Sequence, residues 1–384
     1  METLSIAQAQ KLAVLSQGLP QSQKSGGALQ NTLSAFERIG YVQIDTISVV
    51  QRAHHHTLWS RNSKYQPNHL DKLVKNRSVF EYWSHAAAYL PMRDYRFTLP
   101  RKQTIKSGDQ NHWYRRDNQL MNDIMSRIEH EGPLMAKDFE SAGVKKQGWG
   151  TKPTKQALEN LYMQGDLMIT ERRNFHKVYD LTERVLPQGI DNSMPSDEEY
   201  GRYLVMNYLR AHGFGHLSEI NYLLKNTKQL VSNTLDQLYQ QGEIFPFKVD
   251  GHTYYTFHGA LDLLSKRLNR QKAKILSPFD NLLIQRKRAQ KIFNFNYLLE
   301  CYVPADKRQF GYFCLPVMWD GKLVARIDCK VDKPTSTLQA LSLHIEPTLR
   351  KRDDFHSALE QELSDFARFN QCEQFQIQQI HAKP

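Results

Sequence analysis

Two segments of this chain repeat one another, and the repeat constrains the fold more than any other sequence feature. "QALENLYMQGDLMI" spans residues 156–169 and "NTLDQLYQQGEIFP" spans residues 233–246. The identical positions are Leu158, Leu161, Tyr162, Gln164 and Gly165 in the first copy and Leu235, Leu238, Tyr239, Gln241 and Gly242 in the second. In both copies, apolar residues at helical spacing lead to a glycine, which is followed by an acidic and then an apolar residue. This order predicts a helix that ends at a glycine and is followed by a strand.

The sequences around both copies also match. Upstream, residues 122–140 and 203–221 each predict a helix, a glycine-containing break and a second short helix. Downstream, residues 171–182 and 248–258 each predict a strand, a polar turn and another strand. Three helices followed by a hairpin form a winged helix, in which the third helix is the usual candidate for the major groove of DNA. Winged helices also serve as protein–protein modules, and this alternative stays open. The N-terminal region is a candidate third and more divergent copy.

The pattern changes to short alternating strands from about residue 277. Strands are predicted over 297–305, 308–319, 322–332 and 338–347, with an Asp-Gly hairpin turn at 320–321. Residues 353–370 have helical spacing. We therefore expect a compact β-sheet or barrel closed by a helix. Lys307 and Arg308 are expected at the tip of a turn, where they contact phosphates or are simply solvated.

The chain is basic, which favours a polyanionic partner. Lys and Arg number 51 against 40 Asp and Glu, which gives a net charge of +11. Nucleic acid is preferred to a membrane as the partner, and a merely basic soluble protein is the alternative. The four cysteines include no C-x-x-C pair, so neither zinc nor a disulfide framework is expected. A secretory signal or a membrane helix is not predicted, which leads us to expect a cytoplasmic protein.

The stretch "VQID" at residues 42–45 places an amide and a carboxylate on either side of one isoleucine. Alternation in a strand would direct Gln43 and Asp45 to one side, and Val42 and Ile44 to the other. An edge strand with a hydrated polar face would show the same pattern. The following histidines, 54–56, are adjacent and therefore make poor joint metal ligands on a strand or a helix. We expect them to form structural hydrogen bonds or phosphate contacts, and we expect no metal.

Several stretches resemble the AlkZ/YcaQ family of winged-helix DNA glycosylases. They are "VQIDTISVVQRAHHHTLWSR" at 42–61, "VFEYWSHAAAYLP" at 79–91 and residues 275–317. The resemblance implies an α+β chain of tandem winged-helix units around a C-terminal β-barrel, with a concave surface for duplex DNA. The expected domains are an N-terminal region carrying the motif, two winged helices and the barrel with its closing helix: 1–117, 118–190, 196–265 and 275–384. Ile284 departs from the family, since an aromatic residue is expected there.

The resemblance assigns the catalytic motif to Gln43 and Asp45. The Gln-apolar-Asp form resembles the YcaQ (AlkX) branch, which is associated with removal of N7-alkylguanine and unhooking of interstrand crosslinks. We predict a monofunctional, hydrolytic glycosylase that needs no cofactor, acts as a monomer and binds double-stranded DNA containing alkylated purines or crosslinks. The predicted DNA contacts are Arg52, His54, Arg61, Lys307 and Arg308, and His85 is a further candidate for the site. The alternative function is a non-enzymatic tandem winged-helix transcription regulator.

Overall fold

The structure, a computed structural model, describes residues 2–20, 26–110, 113–139 and 153–382. The chain divides into two compact units. The first unit comprises Met1–Gln66 and Gly201–Pro384, and the second comprises Pro67–Tyr200. This division falls inside the predicted N-terminal domain, and the four-domain scheme stays a prediction. Part of the predicted domain 118–190, residues 140–152, lies outside the described residues.

The described chain contains both helices and strands along its whole length. The helices are α1 (Ile6–Ser16), α2 (Ala28–Ile39), α3 (Ala53–Trp59), α4 (Pro67–Lys75), α5 (Leu99–Ser107), α6 (Asn118–Glu131), α7 (Pro153–Met163), α8 (Thr182–Val185), α9 (Asp197–His212), α10 (Leu217–Ile220), α11 (Lys228–Gln240), α12 (His258–Leu261), α13 (Arg286–Phe293) and α14 (Arg352–Phe369). The strands are β1 (Glu2–Thr3), β2 (Val42–Gln43), β3 (Val79–Trp83), β4 (Ala87–Pro91), β5 (Leu134–Met135), β6 (Leu167–Arg173), β7 (His176–Leu181), β8 (Phe245–Val249), β9 (His252–Thr256), β10 (Lys274–Ile275), β11 (Cys314–Trp319), β12 (Lys322–Asp332), β13 (Thr337–Ile345), β14 (Gln374–Ile377) and β15 (Ile380–Ala382).

The sequence repeat corresponds to a repeated local structure. In the second unit, α6, a 3₁₀ turn at Ala136–Phe139 and α7 precede the β6–β7 hairpin. In the other copy, α9, α10 and α11 precede the β8–β9 hairpin. The predicted order of three helical segments and a hairpin is therefore confirmed in both copies.

The same hydrogen bond ends the third helix in each copy. The Asp166 amide donates to the Leu161 carbonyl at 3.0 Å, and the Glu243 amide donates to the Leu238 carbonyl at 3.0 Å. This bond spans five residues and requires a left-handed residue just before its donor. Glycine occupies that position in both copies, with φ of +90° at 165 and +72° at 242.

A six-stranded sheet forms the C-terminal part of the first unit. Its order is β10-β11-β12-β13-β14, with β15 also pairing with β13. The predicted turn between β11 and β12 is confirmed, since Asp320 and Gly321 both have the positive φ of a type I′ turn, +47° and +75°. The closing helix is confirmed as α14. Pairings between described strands do not join β10 to β14 or β15, so closure into a barrel stays a prediction.

One predicted strand is wrong. Residues 297–305 and the start of the 308–319 segment form a loop with short 3₁₀ turns at Glu300–Tyr302 and Ala305–Lys307. The backbone amides of residues 309–313 are bonded to buried carboxylates instead of a neighbouring strand, as described below. The apolar and aromatic residues of this stretch belong to a loop, and Leu298 and Tyr302 are exposed.

The core of the first unit joins the N-terminal helix to the C-terminal region. Leu12 of α1 belongs to one apolar cluster with Phe214, Tyr254 and Phe295. Ile284, where the resemblance predicts an aromatic residue, is buried with 9% of its surface exposed. Within the described chain, no helix combines the length and the apolar character needed to cross a membrane.

A buried ion pair connects distant parts of the first unit. The Arg61 guanidinium contacts Asp280 through two bonds, at 2.6 and 2.9 Å. Its Nε donates to the Gln17 carbonyl at 2.9 Å, and its remaining N–H groups reach the Gln17 side chain and the Thr57 carbonyl. The side chains of Arg61 and Asp280 are 2% and 0% exposed. The prediction that Arg61 contacts DNA is therefore corrected, because all of its donors are used inside the fold.

Gly165 and Gly242 form a matched pair for mutation, because only one has a close neighbour. A Cβ at residue 165 would lie 2.8 Å from Cδ of Lys102, whose side chain is buried against aromatic rings. A Cβ at residue 242 would have no neighbouring atom of the described structure within 4 Å. We expect Gly242→Ala to cost about 1 kcal/mol through left-handed backbone strain. Gly165→Ala should cost about 1–3 kcal/mol more through overpacking. Urea unfolding measures both, and equal losses would contradict the steric argument.

Removal of Arg61 should destabilise the fold strongly. Arg61→Met leaves the Asp280 carboxylate buried without its cation, and we expect a loss of about 3–5 kcal/mol in the free energy of unfolding. The double variant Arg61→Met/Asp280→Leu should recover part of that loss, since it removes the unpaired charge. Arg267→Met, at an exposed arginine, is the control and should change stability little. A mild loss for Arg61→Met, together with weaker DNA binding, would instead favour a phosphate contact.

Candidate active site

The segment that carries the motif is held on both sides. Before it, α2 ends at Gly40 with a left-handed φ of +77°. The Asn281 side-chain amide donates to the carbonyls of Ile39 at 3.3 Å and Tyr41 at 3.1 Å. The backbone of residues 39–41 is therefore fixed directly before the motif.

After the motif, two further hydrogen bonds join the segment to the C-terminal region. The Val331 amide of β12 donates to the Val49 carbonyl at 3.1 Å. The Gln51 amide donates to Oδ1 of Asn370, at the end of α14, at 2.7 Å. Residues 42–48 are thus a short span with both ends anchored.

Gln43 and Asp45 lie in this span and are both partly exposed. Val42 is fully buried and Ile44 is 8% exposed, so the predicted alternation is confirmed across residues 42–45. Only Val42–Gln43 is a regular strand. Anchoring of the two ends, rather than a long strand, therefore determines the direction of Asp45.

The Asp45 carboxylate is half-buried and bonded to its own backbone. Its Oδ1 accepts a hydrogen bond from the Ile47 amide at 2.7 Å. Burial raises the pKa of this carboxyl, while hydrogen bonds from the Ile47 and Thr46 amides oppose the rise. Such a group can stabilise a developing positive charge and, once ionised, accept a proton.

Two residues of the C-terminal region lie within electrostatic reach of Asp45. Burial raises the pKa of the Cys301 thiol, and the nearby Asp45 charge raises it further. Burial also raises the pKa of the Tyr302 phenol, with further increases from Cys301 and then Asp45. Sequence reasoning missed both residues, because it assigned them to a regular strand and because some 250 residues of sequence separate them from the motif.

Cys301 and Tyr302 belong to a loop, residues 300–313, that two buried acids hold in shape. The Glu300 carboxylate accepts hydrogen bonds from three consecutive amides, at residues 309–311, with the shortest at 2.8 Å from Phe310. Asp328 of β12 accepts from the next two, Tyr312 at 3.0 Å and Phe313 at 2.8 Å. These bonds replace a strand ladder and fix the backbone of this loop.

The basic residues predicted for this loop differ in their freedom. Lys307 is exposed. Arg308 is partly buried, its Nε donates to the Val303 carbonyl at 2.9 Å, and its guanidinium lies 4.9 Å from the Tyr312 ring centre. Both stay candidate DNA contacts, and Arg308 also supports the loop.

The histidine run lies on α3 and is largely internal. His54 is 2% exposed, so its predicted contact with DNA is corrected. Nε2 of His56 lies 2.9 Å from the Ile275 carbonyl, and burial lowers the pKa of this imidazole to about 4. Nδ1 of His55 lies 2.7 Å from the Tyr65 hydroxyl. The structural hydrogen bonds predicted for the run are present. Arg52, directly before α3, is partly exposed and stays a candidate DNA contact.

His85 is the remaining candidate residue from the sequence. His85 belongs to the second compact unit, where burial lowers its pKa to about 4. Within the described ranges, His, Cys, Asp and Glu residues form no group of three or more that could hold a metal ion. In the first unit, the candidate site comprises Gln43, Asp45 and the 300–313 loop.

Residues 36–369 match the family described as "DNA glycosylase AlkZ-like". The structure is similar to the Streptomyces sahachiroi DNA glycosylase AlkZ, with a TM-score of 0.66 and 14% sequence identity, over 98% of this chain and 100% of that chain. At that identity the likeness shows a shared mixed α+β fold. The family match extends from the helix before the motif to the end of α14, and the chain therefore belongs to the AlkZ-like DNA glycosylase family.

Proposed function

We propose that this protein hydrolyses the N-glycosidic bond of cationic N7-alkylguanine in duplex DNA and unhooks interstrand crosslinks at such bases. This is the activity that the Gln-apolar-Asp motif of the YcaQ branch implies. The observation that carries the proposal is the half-buried Asp45 carboxylate, held in an anchored span beside a rigid loop on a chain of net charge +11.

The chemistry requires a fixed anion more than a strong acid. N7-alkylguanine already carries positive charge, so the base leaves without protonation. When the C1′–N9 bond breaks, its electron pair goes to the base and positive charge develops on the deoxyribose. A carboxylate next to the sugar stabilises this transition state more than the ground state. Water then bonds to C1′ and transfers a proton to Asp45, leaving an abasic sugar and a free neutral base.

Gln43 has the complementary role in this proposal. Its amide both donates and accepts hydrogen bonds, so it can hold the attacking water or the sugar-phosphate in position. The reaction ends with hydrolysis, and the proposed enzyme is a monofunctional glycosylase without a cofactor.

The two helix-and-hairpin repeats are inferred to be winged helices, and they differ in what they offer to DNA. Residues 157–163 of α7 are all buried, whereas α11 buries mainly Val231, Thr234, Leu235 and Leu238. We infer that α7 is part of the scaffold and that α11 retains a face for duplex DNA. Lys307, Arg308 and Arg52 are the proposed phosphate contacts, which orient the duplex without reading its sequence.

The partial exposure of Asp45 supports action on bulky lesions. A base joined to the opposite strand cannot rotate freely into a deep pocket. A carboxylate that is open to solvent on one side can approach the sugar while the crosslinked base stays in the duplex. We propose that this openness permits the unhooking reaction.

Asp45→Asn should abolish most of the activity while the protein stays folded. We expect the single-turnover rate of N7-methylguanine release to fall by about 10²-fold or more, as for other positioned acid–base groups. Release is measured as strand scission after alkali treatment of a labelled duplex. Asp262→Asn, at an exposed aspartate of the same unit, is the matched control and should keep full activity.

Two outcomes of that experiment would contradict the proposal in different ways. Unchanged release by Asp45→Asn would remove Asp45 from the mechanism. Failure of the native protein to release any N7-alkylated base, crosslinked or not, would remove the proposed substrate class.

The rate should fall at low pH with a midpoint above that of an ordinary aspartate. Asp45 must be ionised to act, and burial raises its pKa from the usual 3.8. The single-turnover rate should therefore be constant at neutral pH and decrease as the pH drops through this raised pKa. The same profile measured on Asp45→Asn, after subtraction of spontaneous base loss, should lack this decrease. An identical profile for both proteins would assign it to another group.

A further inference from the structure

Tyr302 is the most exposed large hydrophobic side chain among the described residues. It is 76% exposed, compared with 62% for Leu298 and 43% for Tyr312. An aromatic ring contributes little to a fold from such a position, since it buries little surface. The loop that carries Tyr302 and the segment that carries Asp45 are both bonded to β12: Asp328 binds the Tyr312 and Phe313 amides, and the Val331 amide donates to the Val49 carbonyl. The exposure of the ring in this part of the unit is therefore more informative about ligand binding than about stability.

The ring is presented on a fixed backbone. Tyr302 follows Glu300 within one 3₁₀ turn, and the Glu300 carboxylate, only 4% exposed, binds the amides of residues 309–311. Asp328 binds the amides of Tyr312 and Phe313. Any ligand that contacts Tyr302 therefore meets a loop whose conformation is already determined, which lowers the entropy cost of binding.

The two groups at this position match the two charged parts of the proposed substrate. Asp45 is an anion for the sugar, where positive charge appears during the reaction. An electron-rich aromatic face attracts a positive charge that is already present on the base. The sugar carbon and the base are joined by a single bond, so a ring beside a carboxylate at the sugar can reach the base.

We propose that the Tyr302 ring recognises the cationic purine through its π face, an inference that rests on the proposed function. The attraction exists only while the base is charged. Cleavage of the C1′–N9 bond gives its electron pair to the base and removes that charge. Tyr302 therefore holds the damaged base before cleavage and releases the neutral base afterwards.

This role differs from catalysis in its kinetic signature. A contact with the charged ground state strengthens binding but does not lower the barrier of the chemical step. Replacing the ring should therefore raise KM and leave the single-turnover rate at saturation unchanged or slightly higher. Loss of Asp45 should have the opposite pattern, a lower rate at saturation.

The decisive measurement separates binding from cleavage. A duplex with 2′-fluoro-N7-methyldeoxyguanosine carries the cationic base, and its fluorine disfavours positive charge on the sugar and so prevents release. The same duplex with 2′-fluorodeoxyguanosine is its neutral counterpart. The ratio of the two Kd values measures the preference for the cation.

The variants test the ring rather than the hydroxyl or the bulk. Tyr302→Phe should keep the native preference for the cationic duplex. Tyr302→Leu should reduce it by about 2- to 30-fold, the range expected for loss of a cation–π contact. Tyr239→Leu removes another exposed tyrosine, 52% exposed, and should leave the ratio unchanged even if it weakens binding to both duplexes.

Failure of this inference can be distinguished from failure of the proposed function. An unchanged ratio for Tyr302→Leu, or equal weakening of binding to both duplexes, would overturn the cation–π role and indicate a general wedge. Neither result bears on whether the native protein releases N7-methylguanine. Conversely, a preference for the cation that depends on Tyr302 would stand even if release by the native protein were absent.

Discussion

The buried pair of Arg61 and Asp280 determines much of what surrounds the site. Asp280 is held by the two bonds to Arg61. The next residue, Asn281, donates its side-chain amide to the Ile39 and Tyr41 carbonyls, directly before the motif. The position of the motif therefore depends, through two adjacent side chains, on an ion pair that is buried inside the fold. Satisfaction of all the guanidinium donors is what makes such a buried charge acceptable.

Buried acids organise the loops of this basic protein in the same way. Glu300 and Asp328 each bind consecutive backbone amides that no strand partner satisfies. A buried amide without a partner costs about as much as a lost hydrogen bond, so these carboxylates allow an irregular loop to pack against the sheet. Like Asp45, they carry carboxylates, but these carboxylates hold backbone structure. The full set of hydrogen bonds on Glu300 leaves it structural, while Asp45 keeps one side open to solvent.

Local sequence patterns predicted local structure well and long-range partners poorly. The repeat predicted its glycine caps because a single residue type, glycine, favours the left-handed backbone conformation, as at Gly165 and Gly242. The Asp320-Gly321 turn followed for the same reason. The sequence predicts DNA contacts for Arg61 and His54 because no partner for either lies nearby in the chain. The actual partner of Arg61, Asp280, lies more than 200 positions away. The 300–313 loop has the composition of a strand, and only the carboxylates that bind its amides reveal its conformation. Tyr302 and Cys301 were not predicted as site residues because some 250 residues of sequence separate them from the motif.

The exposure of the site reflects two opposing requirements of the proposed reaction. A carboxylate stabilises charge on a sugar more strongly when water is excluded, because the local dielectric constant is lower. A fully enclosed carboxylate would also take up a proton more readily, and it would exclude a base that is joined to a second strand. Asp45, half-buried with the Ile47 and Thr46 amides bonded to its carboxylate, lies between these limits. Anchoring of residues 42–48 at both ends fixes the position of the carboxylate, as a closed pocket would otherwise do. The carboxylate can therefore be held precisely and still be reached by a duplex.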